Sequence, residues 1–251
     1  QTTRHRIKAI LNNDDCQIIF SDTPGIIDPK YKLHEKMMAA VKGSLEDADV
    51  ALLIADAREP ADSSHEIFKS LKLKAPVLVV LNKVDAVKDD ATILRTKTFF
   101  EEQSYCKEVV VISALKKTGI DELLQRILFY LPEGHPFYEG DDISDLPTKF
   151  FVSELIREKV YQLYQEELPY HTAVLVREYK EKTTLIKISA DIIVQRDTQK
   201  GIILGEKGSM IKKLGTLARV DIEEFLGSKV FLELFVKVSP KWRDNDVHLK
   251  E

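Results

Sequence analysis

Cysteine is almost missing from this chain: Cys16 and Cys106 are the only two, and neither has metal-ligand neighbours. That excludes a disulfide scaffold and a Cys-rich zinc module, and it fits small thiols in or near strands in a reducing compartment. The six histidines (His5, His34, His65, His135, His171, His248) include no pair at i, i+4, so a helical metal-hydrolase motif is excluded. Ser63-Ser64-His65 lacks the glycine-flanked setting of a nucleophile elbow. No apolar run approaches the ~18–20 residues of a membrane span. No internal repeat and no low-complexity segment occurs. Trp242 is the single tryptophan, and beside Lys241 and Arg243 it could stack on RNA or cap the core, with core or rim packing the favoured reading.

What remains is a chain of 251 residues, 44% hydrophobic and 31% charged, long enough for two domains. Three short motifs follow three apolar, β-branched runs in fixed order. Asp22-Thr23-Pro24-Gly25 follows Ile18-Ile19-Phe20, Asn82-Lys83-Val84-Asp85 follows Val77–Leu81, and Ser113-Ala114 follows Val109–Ile112. Loops at the C-terminal ends of parallel strands are where open α/β sheets place ligand chemistry. Asp22 stands where a carboxylate meets Mg²⁺, a hard cation that prefers oxygen ligands. Gly25 lets a backbone N–H approach a phosphate with no Cβ in the way. Guanine presents N1–H and its 2-amino group as adjacent donors, and one carboxylate, Asp85, accepts both. Adenine offers an acceptor there and no second donor, so it is rejected. Asn82 either meets the N7/O6 edge or braces the neighbouring loops, the Lys83 stem lies over the base, and a backbone N–H at Ser113-Ala114 reaches O6. Gln1-Thr2-Thr3-Arg4 reads as the end of a switch segment, with a threonine hydroxyl, Thr3 in preference to Thr2, as a Mg²⁺ ligand when a γ-phosphate is present.

The first half alternates in type. Strands are expected over 6–11, 16–21, 50–55, 77–82 and 109–113, with helices over 34–47, 64–73, 91–103 and 119–131. This implies a doubly wound, mostly parallel sheet. Residues 132–149 carry Pro132, Pro136 and Pro147 among Glu133, Glu139, Asp141, Asp142 and Asp145, the composition of an interdomain linker able to absorb domain motion. The second half is expected as helix 152–167, strand 171–179, strand 184–195, helix 199–204, helix 209–226 and strand 229–238. Residues 184–195 alternate like a half-buried antiparallel strand, and Ile211, Leu214, Ala218, Ile222 and Phe225 form the sheet-facing side of the long helix.

Charge separates the halves. Residues 1–148 hold 19 basic against 25 acidic side chains, and 149–251 hold 18 against 16. Within 196–219 there are six basic and two acidic, a local cationic surface that suits a polyanion. At its centre lies Gly205-Glu206-Lys207-Gly208, a loop whose glycines let phosphates reach backbone N–H groups. Lys207 is its cation, and Lys200, Lys212, Lys213 and Arg219 flank it. Ile202, Ile203 and Ile211 offer apolar contact to bases. The charge of Glu206 opposes a phosphate unless it points away.

Taken together, the chain resembles the Era family of bacterial GTPases, a G domain of the TrmE-Era-EngA-septin group joined to a type II KH domain. Residues 1–4, 22–25, 82–85, 113–115 and 203–212 carry the likeness, which extends over the whole chain. The resemblance implies a partial G domain over 1–131, a linker over 132–149, a KH domain over 150–240 and a tail over 241–251. It implies GTP, GDP and Mg²⁺ as cofactors, GTP hydrolysis, and recognition of the 3′ end of small-subunit ribosomal RNA during rRNA processing and small-subunit assembly. It also implies a cytoplasmic monomer, with peripheral contact at the inner face of the membrane in some members. The family's P-loop unit is expected N-terminal to Gln1, which is not a natural start. A polypeptide beginning at Gln1 would have little activity. Ile26 stands where many signalling GTPases carry a water-orienting Gln, so Gly25, Thr3 and Ile26 form a catalytic end with slow intrinsic hydrolysis. A second reading keeps the KH half as an RNA-binding module and gives the α/β half only a supporting role.

Overall fold

The computed structural model describes residues 3–4, 6–26, 30–71, 73–138 and 143–244. Contacts divide the chain into two compact units, 39–139 and the combination of 1–38 with 140–251.

In the 39–139 unit, β3 (Ala51–Asp56), β4 (Val77–Asn82) and β5 (Glu108–Val111) form a parallel sheet with β4 in the middle. From Val77 to Leu81 every β4 side chain is at most 2% exposed. Such a run needs cover on both faces. Phe68 of α2 (Ala61–Ser70) and Phe100 of α3 (Asp90–Glu101) pack on one cluster with Val77, Val79 and Leu81. Ile120 and Leu123 of α4 (Ile120–Tyr130) cover Val80 and Val110 in another. The sheet is thus wound on both sides, and its central strand delivers Asn82 to the C-terminal edge.

The other unit holds two further sheets. β1 (Ile7–Asn12) and β2 (Gln17–Asp22) pair antiparallel from Ile7 opposite Asp22 to Asn12 opposite Gln17. The reversal is fixed by Asn13, whose Oδ1 accepts from the N–H groups of Asp15 (3.0 Å) and Cys16 (2.7 Å). Helix α1 (Lys32–Glu46) follows, with its residues up to Met38 in this unit. Residues 143–145 of the expected linker are tied to β1. Ile10 N–H donates to the Ile143 carbonyl at 3.0 Å, Ser144 Oγ to the Lys8 carbonyl at 2.5 Å, and Lys8 pairs with Asp145 at 3.2 Å. Glu139, Asp141 and Asp142 lie outside the described residues.

Beyond it come α5 (Thr148–Leu163), β6 (Ala173–Glu181), β7 (Ile186–Val194), α6 (Asp197–Leu204), α7 (Ser209–Leu226) and β8 (Val230–Val238). The element order matches the expectation. The sheet order is β6-β7-β8, so β7 is central, antiparallel to β6 and parallel to β8. The antiparallel pairing expected for this strand is present with β6, but its other neighbour is parallel and the strand is buried more fully than the half-buried reading of its alternation. Ile188, Ala190, Ile192 and Val194 face a core with Val152, Ile156 and Val160 of α5. On the opposite face Asp191 is held by Arg177 and Lys237, and Ile193 is covered by Leu33, Met37 and Trp242. On α7, Leu214, Ala218 and Ile222 are buried, whereas Phe225 is 41% exposed and leaves the expected packing face. Both cysteines are free and half-buried.

Candidate functional site

In the 39–139 unit the sheet edge builds a braced pair of loops. Asn82 Oδ1 accepts from Lys83 N–H (2.7 Å) and from Ala114 N–H (3.0 Å), tying the loop after β4 to the loop after β5. Of the two roles open to Asn82, bracing is the one seen. The Ala114 N–H is therefore occupied, a correction to its reading as the O6 donor. Ser113 Oγ donates to Asp85 Oδ1 at 2.5 Å and accepts from Lys116 N–H at 3.0 Å. Ser113 is 1% exposed, so its hydroxyl orients Asp85 and touches no base. Each carboxylate oxygen keeps a second acceptor position, so the exposed Asp85 can still take a paired donor.

Lys83 adopts φ 64°, ψ 29°, the left-handed region, and its Nζ lies 2.7 Å from Asp56 Oδ2. Arg58 binds the same carboxylate through Nε (2.9 Å) and Nη2 (2.6 Å). These cations hold Asp56 well below the usual carboxylate range, the Arg58 bond being the larger cause. Sequence reasoning missed Asp56 because one acidic residue ending a strand has no motif around it. Asp56→Ala is expected to release the Lys83 stem and to weaken guanine-nucleotide binding about tenfold, the loss of one charge-assisted bond; calorimetric titration with GDP checks it.

Gly119 was missed too. It sits at φ 74° before α4, and a Cβ there would meet the Val111 carbonyl oxygen at 2.3 Å. Only glycine lets the Ser113–Thr118 loop close, with Ser113 N–H on the Thr118 carbonyl at 3.0 Å.

In the other unit, β2 ends at Asp22, and Thr3 Oγ1 donates to Asp22 Oδ2 at 3.1 Å. The two expected Mg²⁺ ligands therefore meet. At the ~2.0–2.1 Å bond length of octahedral Mg²⁺, adjacent oxygen ligands sit roughly 2.9 Å apart. The donor set fits the ion: two hard oxygens, with the remaining positions left to water and phosphate. Among the described residues no group of three or more His, Cys, Asp or Glu is placed to hold a metal. Pro24 is buried, Thr23 half-buried, and Gly25 and Ile26 are exposed. A Cβ at Gly25 would touch no protein atom, so any need for glycine there comes from what approaches it. Gln1 and Thr2 lie outside the described residues.

The same unit carries the glycine loop between α6 and α7. Gly205 has φ 69°, ψ 178°, Lys207 φ 49°, ψ 27°, and Gly208 φ 79°, ψ 14°. Gly205 N–H caps the Gly201 carbonyl at 2.9 Å, and Gly208 N–H donates to the Gly205 carbonyl at 3.2 Å. The turn holds Lys207 outward in a conformation rare for a residue with a side chain. Glu206, Lys207, Lys212, Lys213 and Arg219 are exposed, and Lys200 and Ile211 are half-buried. Ile203 is a correction: it is fully buried against Val152 and Ile156, out of reach of a base. Its neighbour Ile202, 56% exposed, is the apolar side chain on the surface.

Comparison with known proteins follows this geometry. Residues 1–83 match the family model described as 50S ribosome-binding GTPase, and residues 167–243 match the KH domain model. GTPase Era of Geotalea uraniireducens (strain Rf4) is 42% identical over 254 residues, covering 100% of this chain and 85% of the relative. GTPase Era of Staphylococcus haemolyticus (strain JCSC1435) is 43% identical over 247 residues, covering 97% and 82%. A crystal structure of Era with MgGDPNP and nucleotides 1506-1542 of 16S ribosomal RNA superposes with TM-score 0.95 at 40% identity, covering 99% of this chain and 86% of that one. A variant of Aquifex aeolicus Era bound to GDP·AlF4⁻ gives 0.94 at 40% identity, with the same coverage.

Proposed function

This chain belongs to the Era family of GTPases, and on that premise we propose that it grips the 3′ end of small-subunit ribosomal RNA with its glycine loop. In this reading it acts in rRNA processing and small-subunit assembly, with RNA occupancy tied to its nucleotide. The ligands of the family are GTP and GDP with Mg²⁺. Asp85, oriented by Ser113, selects the guanine edge. Thr3 and Asp22 would hold Mg²⁺, which when bound neutralises phosphate charge. Ile26 has no group to orient water, so hydrolysis relies on backbone positioning or on a bound partner. The proposal includes a cytoplasmic monomer whose membrane contact is at most peripheral, at the inner face. Among the described residues no helix is long and apolar enough to cross a membrane.

The observation that carries the RNA half is the Gly205–Gly208 turn, which presents an exposed Lys207 just ahead of α7 with its exposed Lys212, Lys213 and Arg219. KH domains clamp a single-stranded backbone with such a turn. The test is titration of the full-length protein with an oligonucleotide of the rRNA 3′ end at several salt concentrations. Affinity is expected to fall with salt, and Lys207→Glu to weaken binding on the order of tenfold and lower the salt slope by about one. Binding indifferent to both would contradict the assignment.

A further inference from the structure

Arg4 follows the sensor Thr3 directly in the chain, yet its side chain belongs to the RNA-binding fold. It is 7% exposed. Nη1 donates to the Thr172 carbonyl at 2.8 Å and Nη2 to the Tyr170 carbonyl at 3.0 Å. Between them, the His171 carbonyl accepts from Trp242 Nε1 at 3.0 Å. Three consecutive carbonyls at the entry to β6 are thus taken by two side chains, and these also touch each other, with the Arg4 guanidinium carbon 5.4 Å from the Trp242 ring centre.

Trp242 is the hub. It is 1% exposed and packs with Leu33 and Met37 of α1 and Ile193 of β7. Next to it, Arg243 lies over the Tyr31 ring at 4.4 Å. The segments on either side of the Asp22-Thr23-Pro24-Gly25 motif therefore converge on one indole, the upstream one through Arg4 and the downstream one through Leu33 and Met37.

The docking of Arg4 is poorly balanced for a purely structural anchor. The guanidinium is buried, its hydrogen bonds go to two carbonyls, and its Nε has no hydrogen-bond partner. Burial, with Arg157 close by, lowers its pKa to about 10, so it stays charged at neutral pH. A buried charge without full compensation stabilises weakly and is released easily. Adjacent Cα atoms are 3.8 Å apart, so Thr3 cannot move far without dragging Arg4. A hydrogen bond is lost within ~1 Å of displacement.

We infer that Arg4 is a positioning residue that latches the phosphate-sensing Thr3 to the KH fold, so that engagement of Thr3 by the nucleotide is read at Trp242. This rests on the GTPase reading above and is independent of RNA binding. Trp242 is the single tryptophan of these 251 residues, and the emission it contributes, obtained by difference against Trp242→Phe, reports the latch.

The experiment compares Trp242 fluorescence of the full-length protein with Mg²⁺ and a non-hydrolysable GTP analogue against Mg²⁺ and GDP, without RNA. The wild type is expected to differ between the two nucleotides. Arg4→Gln is expected to give one spectrum for both while still binding GDP. Thr3→Val is expected to give the GDP-type spectrum with either nucleotide. If Arg4→Gln does not fold, Arg4→Lys keeps the charge but cannot span both carbonyls, and its spectral change should be at most half that of the wild type. A full-sized change in the Arg4 variant, or no change in the wild type, would overturn the latch. Failure to bind guanine nucleotide at all would instead overturn the reading on which it rests.

Discussion

Asp85→Asn in the full-length protein is expected to lower GDP and GTP affinity a hundred- to ten-thousandfold, since two charge-assisted bonds at ~1.5–3 kcal/mol each are lost or inverted. The substitution turns one acceptor oxygen into an NH2 donor, which faces the 2-amino donor of guanine. Xanthine carries a carbonyl at that position. The variant should therefore bind xanthosine diphosphate more tightly than GDP, reversing the wild-type order. Ser113 Oγ, now 2.5 Å from Asp85 Oδ1, can keep its bond to the remaining carbonyl oxygen, so the loop should hold its shape. Calorimetric titration with both diphosphates measures the reversal. An equal loss for both nucleotides would mean that Asp85 supports the loop and does not read the base.

Gly205→Ala is expected to remove RNA binding and to destabilise the RNA-binding unit. Two costs combine. At φ 69°, ψ 178° the backbone occupies a region essentially reserved for glycine, at about 1–3 kcal/mol for any other residue. The added methyl would also lie 2.6 Å from Met210 Cγ, 2.7 Å from Met210 Cβ and 3.0 Å from the Met210 amide nitrogen. Side-chain rotation relieves the first contact, but the last is backbone at the start of α7. A fall of several degrees in Tm is expected, with oligonucleotide affinity down at least tenfold because the turn no longer holds Lys207 in its presented conformation. Gly208→Asn is the matched control. Its φ of 79° is left-handed, a region Asn tolerates, and a Cβ there meets nothing within 4 Å. It should melt close to the wild type, and equal melting for the two variants would contradict the steric account.

Much of this was legible in the sequence because the information was local. The run Val77–Leu81 announced a central strand through unbroken burial, and the motif after it could sit only at the sheet edge. Where packing from afar decides, reading failed. Ile202 and Ile203 are adjacent on a helix of eight residues, too short for helical period alone to say which turns inward. The buried one is chosen by Val152 and Ile156, some fifty residues earlier. Ile193 lay on the polar side of an alternating strand, yet Leu33, Met37 and Trp242 cover it. Asp56 gave no signal, since its role exists only once Lys83 and Arg58 reach it. Arg4 is the extreme case: its partners stand 166 and 168 residues away, and no local pattern marks that distance.

The central claim is that paired acceptance at Asp85 makes this a guanine-specific switch. The most direct measurement is displacement of a fluorescent GDP from the full-length protein by unlabelled GTP and, separately, ATP. Displacement by GTP at stoichiometric concentrations, with none by ATP at a thousandfold excess, is the predicted result. Equal displacement by the two triphosphates would contradict it.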